Sequence, residues 1–172
     1  GDCRVMSELR TNRIIPRDGL PSGASGGIIQ VVQNIQGMGQ VNSSSTSEYD
    51  LGLSCTITPQ RSDSKILINA NWSAIQEGAF VIKYYLSRGT THIHMYETYQ
   101  GTGSWTVSFP NMMYLDSPAT TSAVTYKISA QVASGHDLRT NYDSNSSDNS
   151  TVDGELTGIG SRSTIILMEV SG

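Results

Sequence analysis

The sequence predicts an all-β fold: an antiparallel jelly-roll sandwich of about eight to ten strands, preceded by an extended N-terminal arm and assembled with further copies of itself. Three observations carry this reading. From Gly27 onward apolar and polar residues alternate with a period of two. No stretch carries the period of an amphipathic helix. The first and last apolar runs, Ile28–Val32 and Thr164–Val170, are apolar on both parities.

Residues 1–27 read as the arm. Arg4, Arg10, Arg13 and Arg17 lie here. The segment Pro16-Arg17-Asp18-Gly19-Leu20-Pro21-Ser22-Gly23-Ala24-Ser25-Gly26-Gly27 is too rich in proline and glycine for a helix or a central strand. It serves as a hinge to a head domain at 28–172. Residues 1–5 precede Met6 and read either as an appended remnant or as native chain.

Within the head, Tyr49, Leu51, Leu53, Cys55 and Ile57 form one inward set. Cys55 belongs to it as a small buried hydrophobe rather than a disulfide partner of Cys3. Ile66, Ile68, Ala70, Trp72 and Ala74 form the next set, then Phe80, Ile82, Tyr84 and Leu86. Trp105, Val107 and Phe109 repeat the pattern, as do Val124, Tyr126, Ile128, Ala130 and Val132. Turn residues close the runs, among them Thr58-Pro59, Glu77-Gly78, Arg88-Gly89, Gly101-Thr102-Gly103 and Ser134-Gly135.

The last run decides between a lone sandwich and an assembled one. Ile166, Met168 and Val170 face one side of a strand, and Ile165 and Leu167 the other. A strand with one wet face alternates, so two apolar faces need two covers, and no helix is available to supply the second. The first run shares the property. Both are therefore expected to be neighbours in a sheet whose outer face meets a symmetry axis, with Ile165, Leu167, Ile29 and Val31 at the interface between copies.

Several segments resemble fibre-like virion proteins of marine tailed phages, especially those of cyanobacteria. They are the opening Met6-Ser7-Glu8-Leu9-Arg10-Thr11-Asn12-Arg13-Ile14-Ile15-Pro16-Arg17-Asp18-Gly19-Leu20-Pro21-Ser22-Gly23, the segment Asn111-Met112-Met113-Tyr114-Leu115-Asp116-Ser117-Pro118 and the ending Ser163–Val170. The resemblance implies a trimeric jelly-roll head, comparable to tumour-necrosis-factor-like and complement-C1q-like heads, carried on a virion. It implies anchoring to other virion proteins through the arm, assigned here to Arg10, Arg13, Ile14, Ile15 and Arg17. It brings no catalytic set. The chain departs from the pattern at His92-Ile93-His94, where small polar residues are expected.

That departure is the sharpest chemical motif. Two histidines at i and i+2 on a strand point the same way, so one metal would contact both. The competing reading is two solvated histidines on an exposed strand, and no metal or other cofactor is expected. A second candidate is a receptor-contact set in a loop: His136, Asp137, Arg139, Asn141, Tyr142 and Asp143 combine an aromatic ring, a guanidinium and hydrogen-bonding groups suited to a host surface glycan. An ordinary surface loop reads the same way. The acidic run from Asp143 to Glu155 lacks the spacing of a calcium loop.

Enzyme signatures are absent. Gly23-Ala24-Ser25-Gly26 lacks the spacing of a nucleophile elbow, and Gly158-Ile159-Gly160 precedes a strand rather than a helix. With 15 acidic against 11 basic residues, the chain has no basic footprint for nucleic acid. No apolar run approaches a membrane span, and no secretory signal is visible. The expected role is a tail-fibre-type head on a virion that attaches to the host surface. Two alternatives remain at this stage: a capsid decoration protein or head fibre, and a stand-alone sugar-binding lectin.

Overall fold

The computed structural model describes residues 27–36, 41–43, 46–76, 78, 80–100, 106–133, 136–141 and 162–171. Among them every regular element is a strand. The eight longer strands are β1 (Ile28–Gln36), β3 (Tyr49–Ile57), β4 (Lys65–Asn71), β6 (Phe80–Arg88), β7 (Thr91–Gln100), β9 (Asn111–Asp116), β10 (Val124–Val132) and β12 (Ser163–Val170). Four short ones accompany them: β2 (Val41–Ser43), β5 (Ala74–Gln76), β8 (Thr106–Ser108) and β11 (Leu138–Thr140).

Sheet I has the order β1-β12-β4-β9, and sheet II the order β3-β10-β6-β7. All pairings are antiparallel. Along the chain the long strands switch sheet at every step except the β6–β7 hairpin. That wiring is a jelly roll, as the sequence predicts. The short strands form a third sheet, β2-β11-β5-β8, which lengthens one end of the sandwich. These extra strands account for the excess over eight to ten.

Period two puts one parity of each strand between the sheets. Leu51, Leu53, Cys55 and Ile57 of β3 meet Ile66, Ile68 and Ala70 of β4 and the inward residues of β6 and β10 in one core. Cys55 is a buried free thiol, as its place in the inward set requires. Each buried Leu or Ile stabilises the fold by roughly 1.5–3 kcal/mol. Trp72 and Tyr84 cross edge to face, with ring centroids 4.9 Å apart.

First and last strands are neighbours: β1 pairs β12, with Val31 opposite Met168 and Val32 opposite Leu167. The faces of β12 differ from the expectation. Ser163, Ile165, Leu167 and Glu169 are buried, and Thr164, Ile166, Met168 and Val170 form the half-buried outer face. Ile165 and Leu167 are core residues with no exposure and cannot line an interface. Ile29 sits in a register shift between Ile28 and Gln30 and is half-buried. Val31, 55% exposed, is the one member of the expected interface set that stands open on the outer face.

Glu169 shares the parity of Ile165 and Leu167, and its burial explains why charge misleads here. Its Oε2 accepts from Gln30 Nε2 at 2.6 Å, and its Oε1 accepts from the Gln60 N–H at 2.8 Å. Burial works against its charge. The Gln30 amide, the Ser64 hydroxyl and the backbone N–H groups of Gln60 and Arg61 outweigh it and hold the carboxyl below its usual range.

Candidate functional site

The outer face of sheet I is built in rows. Val31, Met168, Leu67 and Leu115 stand side by side across the four strands. The next row is Gln33, Ile166, Asn69 and Met113. Further along, Asn111 Nδ2 donates to Asn71 Oδ1 at 2.6 Å and to Asn69 Oδ1 at 2.9 Å. One part of the face is thus an apolar band about four strands, or roughly 14 Å, wide. An amide cluster borders it.

The two long seams of the sandwich differ. On the β1–β3 side, three amides of β1 donate to carbonyl oxygens along β3 and just beyond it. They are Gln30 to Thr58 at 2.7 Å, Asn34 to Ser54 at 2.6 Å and Gln36 to Leu51 at 2.6 Å. Gly52 is needed here: its φ is +74°, and a Cβ would lie 2.5 Å from the Gln36 amide nitrogen. On the β7–β9 side, His94 stacks on Tyr114 at 5.2 Å. Exposed apolar side chains flank that seam: Met95, Tyr96 and Tyr99 on β7, and Val107, Phe109, Met113 and Leu115 on and around β8 and β9.

The histidine pair does not form a metal site. The β6–β7 register shifts at this point, so that Leu86 faces His94 while Ser87 faces His92. Ile93 is the extra residue of a β-bulge, and the bulge turns the two histidines to opposite faces. His92 lies on the outer face, 3.0 Å from Glu48 Oε2 and stacked on Tyr85 at 4.6 Å. His94 turns toward the seam and Tyr114. Among the described residues no three His, Cys, Asp or Glu side chains are grouped to hold a metal ion.

The loop candidates separate as well. His136 stacks on Phe80 at 4.4 Å, and Asp137 pairs with Arg139 at 3.6 Å. All three candidates are half-buried at the end occupied by the third sheet. Asn141 is buried and structural. Its N–H donates to Ser73 Oγ at 3.1 Å, and its Oδ1 accepts from the Ser163 hydroxyl at 2.6 Å. It cannot contact a receptor. Tyr142, Asp143 and the arm residues Arg10, Arg13, Ile14, Ile15 and Arg17 lie outside the described residues.

One polar cluster escaped sequence reasoning. Asp116, at the end of β9, accepts from the Tyr126 hydroxyl of β10 at 2.7 Å and from Arg88 Nη1 of β6 at 2.9 Å. Burial and the bond to Asp116 push the Tyr126 phenol well above its usual range. The cluster ties sheet I to sheet II, and Arg88 also lines a shallow depression with Gly89, Pro118 and Thr125. Its signal was a carboxylate closing an apolar run, Tyr114-Leu115-Asp116.

No protein-family model matches the chain, and no curated protein matches it. Solved structures with a similar course of chain include the structure of infectious bursal disease virus Gx strain, at 8% identity and TM-score 0.42, over 95% of this chain and 44% of that one. Another is the infectious bursal disease virus VP2 subviral particle, at 12% identity and TM-score 0.36, over 84% and 40%. A third is the T=1 particles derived from that virus, at 10% identity and TM-score 0.37, over 95% and 41%. The chain spans less than half the length of each. The jelly-roll assignment rests on strand order and pairing in the molecule itself.

Proposed function

We propose that this chain is a virion structural protein without enzymatic activity, a homotrimeric head that attaches a particle to a host surface. The arm at 1–27 joins it to other virion proteins, and the head at 28–172 carries the contacts. The carrying observation is where the exposed large apolar residues lie. Ile28, Val31 and Ile35 of β1, with Met113 and Leu115 of β9, flank the half-buried Leu67, Ile166, Met168 and Val170 on sheet I. The rest follow β7, β8 and the Phe109 turn. None lies on β3, β6 or β10. The apolar face of sheet I, which carries five of these residues among those described, suits burial against further copies. The phage-fibre resemblance of Met6–Gly23, Asn111–Pro118 and Ser163–Val170 supplies the virion.

Immunogold labelling of intact particles tests the location. Gold at the tail tip supports an attachment fibre, gold on the capsid surface indicates decoration, and unlabelled particles contradict both.

A further inference from the structure

We propose that the outer face of sheet II holds a carbohydrate site, which takes one neutral pyranose ring of a surface glycan in a shallow groove between Tyr99 and Thr46. The proposal rests on the attachment reading above and gives it a contact surface. Val81, Val132 and Ala133 line the groove with small apolar surface, and Thr46, Lys83 and Gln131 complete it. Tyr99 is directly opposite Val81 on the edge strand and 67% exposed. Cross-strand partners have Cβ atoms about 5 Å apart, so Tyr99 flanks the Val81 end of the groove without lining its floor. The groove runs from β6 across β10 to Thr46, and with Tyr99 on β7 beside it the surface spans at least two strand spacings, about 10 Å, which fits one sugar ring with its substituents.

The polar groups form one row. Glu97 faces Lys83, and Lys83 faces Gln131. Gln131 is held in place: its Oε1 accepts from the Tyr85 hydroxyl at 2.9 Å, and its Nε2 donates to the Thr46 carbonyl at 2.8 Å. The amide keeps one N–H and one lone pair for a ligand. Among the described residues Lys83 and Glu97 make no ion pair with each other or with other groups. The row therefore presents donors and acceptors together without net charge. A polyanion meets Glu97 and a cation meets Lys83, whereas a polyol uses both. An apolar rim with an adjacent mixed row is what a pyranose, with its C–H face and its hydroxyl edge, requires. Sheet II turns this face away from the apolar face of sheet I, so three copies present three open sites and weak single contacts add.

The test is titration of the full chain with methyl β-D-galactopyranoside, methyl β-D-glucopyranoside and methyl α-D-mannopyranoside, followed by amide chemical shifts. The expected result is saturable shifts on β6, β7 and β10 with at least one glycoside. Tyr99→Ala weakens that binding about tenfold, the upper range of an aromatic contact. Glu97→Gln, which keeps the fold and the shape of the row, weakens it less. Both positions are exposed, so unchanged spectra elsewhere verify folding. No saturable shift with any of the three glycosides overturns the site, as does binding that Tyr99→Ala leaves unchanged. Particle labelling is independent of either result, so failure here is separable from failure of the virion reading.

Discussion

The Tyr126 hydroxyl donates to Asp116 Oδ2 at 2.7 Å, across the gap between the two sheets. Arg88 holds both oxygens of the same carboxylate, at 3.1 and 2.9 Å, and reaches the Ser117 carbonyl at 3.4 Å. Strands β6, β9 and β10 meet at this one carboxylate. The other directional ties between the two sheets include the amide seam of β1 on β3, whereas the apolar packing between them is non-directional and does not set their relative position alone.

Removing the hydroxyl should loosen that end without emptying the core. Tyr126→Phe is expected to cost about 2 kcal/mol, the range for a buried hydrogen bond to a charged acceptor. Urea unfolding measures it as a lower midpoint at unchanged slope.

Glu169 makes stability depend on acid. Its carboxyl in the folded chain lies below the ordinary 4.5, so its contribution is present above that value and is lost as pH falls through the lower folded value. The urea midpoint should drop as pH is lowered from 5 toward 3, and Glu169→Gln should flatten that part of the profile. An unaltered profile in the variant would assign the acid sensitivity to other carboxylates.

The amide seam predicts a local effect. Asn34→Ala removes the donor to the Ser54 carbonyl and should cost about 1 kcal/mol. Hydrogen exchange should rise along β1 and β3 while β6 and β10 keep their protection. A uniform rise would mean that the seam and the core open together.

Much of this fold was legible because β10 and β3 alternate cleanly: Val124, Tyr126, Ile128 and Ala130 all face the core, as their parity demands. Pairing of the first and last strands was also legible, from their shared two-faced composition. Which face of β12 turns inward was not. Ile165–Leu167 and Ile166–Met168 are equally apolar, and Glu169 sits on the parity that turns in. Donors from Gln30, Gln60 and Arg61 decide it, and they are more than 100 residues away in sequence. The histidine pair failed for a different reason. Period two holds only in an unbroken strand, and nothing in Thr91-His92-Ile93-His94 announces a bulge. The sheet II groove was invisible because strand pairing joins its β6 and β10 residues and a side-chain hydrogen bond from Gln131 brings in Thr46, 85 residues away.

The most direct test of the assembly is the solution mass of the 18.5 kDa chain and of two variants, measured by light scattering. A trimer gives a mass near three chains for the parent. Met168→Asp, which charges the outer apolar row, should give a folded species of one-chain mass, and Leu167→Asp, which buries an unpaired charge in the core, should unfold. A parent of one-chain mass, or a Met168→Asp variant that remains trimeric, would rule out assembly through the apolar face of sheet I.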